Sequence, residues 1–220
     1  MKNKVTVIIP AFNEEENIVN VINLSKRCEL VDEIIVVDNL STDNTHKIAK
    51  EQNVTVVSCN QQGKGYAMET GLKHATNEIL VFLDADISNY GNDVLMKLIY
   101  PIYEENFDFV KSTFDRDGGR VTELVAKPLL KLLFPNMHKF SQPLSGMIAG
   151  KKTFFEKINF EKDYGVDIAI LLDMINLNAT IKEVHIGYLK NDQKGWKSLE
   201  HMSEQVMKAI LKRKDQKEDF

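Results

Sequence analysis

Asp84 and Asp86 stand one residue apart where the apolar run Ile79 to Leu83 ends, in the stretch ILVFLDAD. On an extended chain residues i and i+2 point to the same side, so both carboxylates could converge on one cation at the strand's carboxyl end. Upstream, QQGKG (61–65) sets a glycine on either side of Lys64, which lets backbone approach a ligand while the ammonium meets a phosphate as a point charge. The loop is too short for the P-loop pattern G-x-x-x-x-G-K-[ST]. Farther on, Gly118, Gly119 and Arg120 run into Val121 and Thr122 at a helix start, where main-chain N–H groups and a guanidinium suit a phosphate or carboxylate. Each signal is weak alone, since an Asp pair also caps strands and loop cations are commonly just solvated. Their weight comes from the elements that must position them.

Those elements alternate. VTVII (5–9), EIIVV (33–37), VTVV (54–57) and ILVFL (79–83) are separated by ENIVNVINLSKRC, DNTHKIAKEQN and GKGYAMETGLKHA, whose apolar residues recur at helical spacing. The pattern predicts an α/β fold: βαβ units with right-handed crossovers and a mostly parallel sheet flanked by helices. Ligands of such sheets bind beyond the carboxyl ends of the strands. PAFNEEEN (10–17), DNLSTDNT (38–45), QQGKG and DAD all fall at that edge. Pro10, Ala11 and Asn13 form a turn that could cradle a base and ribose, and Asp38 could accept from a pyrimidine ring N–H. Ser41 or Asp43 would cap the next helix, and Glu14 to Glu16 complement a helix dipole.

The second half is less regular. Phe107 to Val110 suggests a strand, residues 118–134 a glycine-rich loop running into a helix, and QPLSGMIAG (142–150) a turn into a strand. A helix over 164–178, a strand over 180–189 and a final helix over 197–214 follow. Leu199, Met202, Val206 and Ile210 line one stripe of that last helix, which needs a partner within the subunit or in a second one. The 220 residues fit one continuous domain, with a regular half over residues 1–110 and a less regular one over 111–220. A hydrophobic content of 43% describes a globular protein, and a formal charge of −4 argues against nucleic acid as a partner. Cys28 and Cys59 are too few for a disulfide framework and lack metal-site spacing, which points to a reduced, cytoplasmic setting. His46, His74, His138, His185 and His201 also lack metal spacing and read as surface or packing residues. The start, MKNKVTVIIP, has the makings of neither a signal peptide nor a spanning helix, so no stable membrane insertion is expected.

Taken together, PAFNEEENI, VVDNLSTDNT, GKGYAMETGL and FLDAD, in that order and spacing, resemble the nucleotide-sugar domain of GT-A glycosyltransferases of the family-two type. GRVTELVAKPLL, QPLSGMIAG, YGVDIAILLDM and SLEHMSEQV look like glucosyl-3-phosphoglycerate synthases, retaining enzymes that move glucose from a nucleotide donor to 3-phosphoglycerate. The resemblance implies that Asp84 and Asp86 engage Mg²⁺ or Mn²⁺ bridging the donor diphosphate. It implies that Lys64 contacts the donor, a UDP- or GDP-hexose, and that Pro10, Ala11, Asn13 and Asp38 line its nucleoside site. Gly119, Arg120, Val121 and Thr122 would hold the phosphate or carboxylate of a small phosphorylated acceptor. Tyr164 and Asp167 would face the transferred sugar, and a homodimer is expected.

The chain departs from that pattern in places. A metal-binding histidine of the family aligns with Asn191, beside Asp192, so the third ligand would be an oxygen of one of these or a water. The family's serine in the second loop is Asn39, and the chain looks short at both ends, so the acceptor could differ as well. In catalysis, metal and Lys64 would neutralise the departing nucleoside diphosphate, and Asp167 would orient the sugar. In an inverting enzyme Asp167 would instead be a candidate general base. The first rival is a polyprenyl-phosphate glycosyltransferase, with VAKPLLKLLF (125–134) touching lipid; the second is a non-catalytic sugar-nucleotide binder, which would have no use for Lys64 beside a metal pair. A nucleotidyltransferase would want glycines after the first strand, and PAFNEEEN has none.

Overall fold

The computed structural model describes residues 4–135, 139–190 and 195–215. The first half follows the predicted alternation: β1 (Val5–Ala11), α1 (Ile18–Lys26), β2 (Val31–Asp38), α2 (Thr45–Glu51), β3 (Thr55–Ser58), α3 (Lys64–His74) and β4 (Ile79–Phe82). The second half comprises α4 (Val94–Tyr103), β5 (Phe109–Asp115), a π-helical turn (Thr122–Ala126), α5 (Lys127–Leu133), β6 (Ile148–Lys151), α6 (Lys152–Phe155), α7 (Val166–Asn176), β7 (Ile181–Tyr188) and α8 (Trp196–Asp215). They build one seven-stranded sheet in the order β3-β2-β1-β4-β6-β5-β7. All pairings are parallel except those of β6, which is antiparallel to both β4 and β5. The α/β fold read from the sequence is the fold observed.

The reversal of β6 matters for function. Phe82, the last residue of β4, pairs with Ile148, the first of β6. The turn leading into β6 therefore arrives at the edge where the parallel strands leave, and Ser145 and Gly146 come to lie beside Asp84. Buried strands are rich in Val and Ile because both faces are covered. One face packs under α1 and α4, with Val7, Ile9, Val36 and Val81 at its centre. The other, with Ile8, Ile35, Leu80 and Phe109, packs under α3, α7 and α8.

Three features depart from expectation. Helix α4 fills a stretch to which the sequence pattern assigned nothing, despite Pro101 in its last turns. Strand β5 runs five residues past Val110, which places Lys111 on the same buried face as Phe109. Between the glycine-rich loop and α5 the helix widens to a π turn, where the Lys127 N–H bonds to Thr122 O. Pro128 explains the widening: it cannot donate to the carbonyl four residues earlier, and its ring crowds that carbonyl. The stripe of α8 finds its cover within the subunit, with Val206 and Ile210 buried and Leu199 and Met202 packed against the same core. It gives no argument for a second copy.

Candidate active site

The strand ends and the glycine-rich loop enclose a cleft of about 690 Å³. Lys64 lies at its floor. As the first residue of α3 it reaches Asp84 Oδ1 at 2.8 Å and Asp167 Oδ2 at 2.9 Å, tying the end of β4 to the first turn of α7. Burial pulls the Lys64 ammonium's pKa down, but the Asp167 and Asp84 carboxylates outweigh it and hold the group well above the ordinary lysine range. Lys64 is therefore a permanent cation at neutral pH. Burial pushes the Asp167 carboxyl up, against the pull of Lys64, and Asp167 Oδ1 is buried without a hydrogen-bond partner among the described residues.

Glycines flank Lys64 for a reason the sequence did not show. A Cβ on Gly63 would stand 2.2 Å from Lys162 O, and one on Gly65 would stand 1.6 Å from Glu161 O. The close approach is by the chain's own segment ahead of α7 and not by a ligand, which corrects the expectation for QQGKG. Gly146 has a comparable role on the opposite side, since a Cβ there would fall 2.3 Å from Lys64 Nζ and 2.5 Å from Asp84 Oδ1.

Most residues singled out from sequence share this cleft. Pro10, Ala11, Lys64, Asp84, Asp86, Gly119, Arg120, Val121, Thr122, Tyr164 and Asp167 all border it. Asn13 and Asp38 stand behind its wall. Asn13 adopts φ 57°, and its side chain accepts from the Thr42 N–H at 2.8 Å, which joins the first loop to the second. Asp38 accepts from the Ser41 N–H at 3.2 Å and lies 3.2 Å from His46 Nδ1, so its carboxylate is turned into the loop. Asp43 accepts from the N–H groups of Thr45 and Glu15. Arg120 lies over the ring of Trp196 at 4.9 Å.

Sequence reasoning gave several residues of the cleft no binding role. Glu14 and Asn39 border it. Asn39 also secures the Lys64 loop by accepting from the Gly63 N–H at 2.7 Å. Arg116 faces the charges of Asp84 and Asp86 and donates to Thr122 Oγ1 at 3.1 Å, a bridge from the carboxylate pair to the glycine-rich loop. Only its place at the end of β5, after Phe114, could have flagged it. His201, read as surface, also lies on the rim.

Asp84 and Asp86 offer hard oxygen donors of the kind Mg²⁺ takes beside substrate phosphates, and the donor set fits such an ion. No cluster of three or more His, Cys, Asp or Glu is present among the described residues, so the remaining ligands would come from donor and solvent. Asn191 and Asp192, the candidates for a third protein ligand, lie outside the described residues.

The sequence profile of glycosyl transferase family 2 matches residues 6–162. The chain belongs to that family. This family 2 glycosyltransferase is 33% identical to the glucosyl-3-phosphoglycerate synthase of Petrotoga mobilis, over 96% of its own length and 73% of the relative's. It is 35% identical to the Mycobacterium tuberculosis glucosyl-3-phosphoglycerate synthase, over 95% and 73% of the two chains. The crystal structure of the M. tuberculosis enzyme in complex with Mn²⁺, UDP-glucose and phosphoglyceric acid superposes with a TM-score of 0.91 at 36% identity, covering 97% of this chain and 80% of that one. The same enzyme with Mg²⁺ and UDP gives 0.91 at 35% identity, covering 96% and 79%.

Proposed function

We propose that this glycosyltransferase moves glucose from UDP-glucose to 3-phosphoglycerate, with retention at the anomeric carbon. The observation that carries the reading is the Lys64 ammonium, held by Asp84 and Asp167 across the cleft from Gly119 to Thr122. Similarity to the synthases over nearly the whole chain supports both substrates. A divalent cation on Asp84 and Asp86 supplies Lewis-acid stabilisation to the departing diphosphate. Lys64, always protonated, adds a fixed positive charge to the same leaving group without giving up its proton. Asp167 accepts a hydroxyl of the glucose and sets its orientation. The Gly119 to Thr122 loop and Arg120 bind the acid and phosphate of the acceptor, whose hydroxyl attacks from the leaving-group face and passes its proton to a diphosphate oxygen. Pro10, Ala11 and Asn39 border the nucleoside, with Asn13 and Asp38 shaping that wall from behind.

A homodimer in the cytoplasm completes the proposal, supported by Leu124 and Leu132, which are 72% and 75% exposed about two turns apart on the continuous helical segment from Thr122 to Leu133; light scattering tests it. The lipid-acceptor alternative is not favoured. Among the described residues no helix is long and apolar enough to cross a membrane, and Leu130 and Phe134 of the apolar stretch are buried in the core. The deciding experiment incubates the protein with Mg²⁺ and a panel of UDP- and GDP-sugars, with and without 3-phosphoglycerate, and follows nucleotide release and product mass. Release that needs 3-phosphoglycerate, yields hexosyl-phosphoglycerate and vanishes in Asp86→Ala is expected. Release indifferent to 3-phosphoglycerate would overturn the acceptor and leave the donor half standing.

A further inference from the structure

Among the described residues Lys111 is the only lysine with no exposed surface. It leaves β5 towards α7, and its ammonium donates to Ser145 O at 2.8 Å and to Asp167 O at 3.2 Å. Both acceptors are main-chain carbonyls. The carboxylate of Asp167 is engaged elsewhere, by Lys64, so among the described residues Lys111 is a buried cation without a directly bonded counter-ion. Charges reach it from four elements: Asp167 on α7, Lys64 on α3, Asp84 past β4 and Glu183 on β7. Burial pulls the ammonium's pKa down to about 8. A methionine of similar volume would occupy the site at no such cost. The position is thus expensive for the fold, and its return has to be sought in what the ammonium joins.

It joins the two segments that hold Lys64 in place. Ser145 opens the turn carrying Gly146, whose α-carbon faces the Lys64–Asp84 pair, and its hydroxyl is held by Ser112 Oγ at 2.5 Å. The Asp167 carbonyl belongs to the first turn of α7 and shares its α-carbon with the carboxylate that grips Lys64. β5 supplies the fixed post between them. We propose that Lys111 is a positioning residue for sugar transfer: its ammonium bridges the Ser145 and Asp167 carbonyls and so sets Gly146 and the Asp167 carboxylate in register with Lys64 and Asp84. The inference rests on the glucosyltransferase reading above and concerns the chemical step, because Lys111 does not border the cleft.

Lys111→Met in the full chain tests it, with thermal midpoint, Mn²⁺-dependent UDP binding and glucosyl transfer measured side by side. The expected variant melts no lower than wild type and binds UDP within about threefold, while kcat falls about 100-fold, the scale of an error near 1 Å at a reacting centre. A merely structural role predicts the reverse, with stability and UDP binding falling together. Either that result or an undiminished kcat overturns the inference. Should the Met variant fail to accumulate folded, Lys111→Gln, which keeps an N–H donor without the charge or the full reach, decides by the same comparison. The two readings separate in the wild-type lane. Wild type that makes no glucosyl product sinks the function, whereas active wild type beside an unimpaired variant sinks only the role of Lys111.

Discussion

Replacing Gly146 by alanine should cripple turnover while leaving the fold intact. A Cβ at this position would stand 2.3 Å from Lys64 Nζ and 2.5 and 2.8 Å from the two Asp84 carboxylate oxygens, where ordinary contact begins at 3.4 Å. The ammonium must retreat by about 1 Å, and it cannot do so while keeping 2.8 Å to Asp84 and 2.9 Å to Asp167. Losing one charge-assisted bond corresponds to about 1.5–3 kcal/mol, and a misplacement of that size at a reacting centre to about 100-fold in rate. The crowded atoms are the tips of side chains and no backbone has to move, so the fold should lose no more than that one bond, about 1.5–3 kcal/mol. The assay is UDP release at saturating Mn²⁺, UDP-glucose and 3-phosphoglycerate, run beside a thermal melt. A variant with wild-type kcat would refute the claim that the Lys64–Asp84 contact governs the chemistry. A variant that unfolds would show that the turn serves the fold first.

The remaining predictions address stability and the acceptor. Between about pH 8 and the ordinary lysine value of 10.5 the folded chain holds fewer protons on Lys111 than the unfolded chain, so stability should rise with pH through that window. The gain is about 3 kcal/mol at most; Lys64, with its raised pKa, gives up its contribution only above 10.5, and urea titrations of Lys111→Met should lack the rise. Trp196, the only tryptophan, lies over Arg120, so its emission should respond to 3-phosphoglycerate but not to glycerol. Arg120→Ala should abolish that response and raise the acceptor KM by about 10- to 100-fold. Arg213, 2% exposed, contacts Asp173 at 2.7 Å and Glu161 at 2.8 Å, so Arg213→Ala takes a buried guanidinium from two half-buried carboxylates, of which Glu161 keeps Lys212, and should cost about 1.5–3 kcal/mol in urea unfolding.

The sequence by itself determined the parallel half of the sheet, because apolar runs of strand length alternating with helical spacing admit few other arrangements. It also determined that Asp84, Asp86 and Lys64 would share one edge, since the polarity of parallel strands sends their βα loops to the same side; that the Gly119 to Thr122 loop joins them was decided by the pairing of β5 in the sheet. Local chemistry could be read where it depends on spacing along the chain. The tertiary structure decided what depends on segments far apart in sequence. Gly63 and Gly65 serve the backbone at 161–162, and Gly146 faces a lysine 82 positions away, relations that no local pattern encodes. The antiparallel reversal of β6, which brings Ser145 beside Asp84, follows from sheet pairing and not from the sequence of QPLSGMIAG. Lys111 is the clearest instance. In sequence a lysine after FDFV looks like the exposed end of a strand, yet β5 continues beneath α7 and carries its ammonium into the interior. A charge is solvated or buried according to what packs over it, and that is settled only when the whole chain has folded.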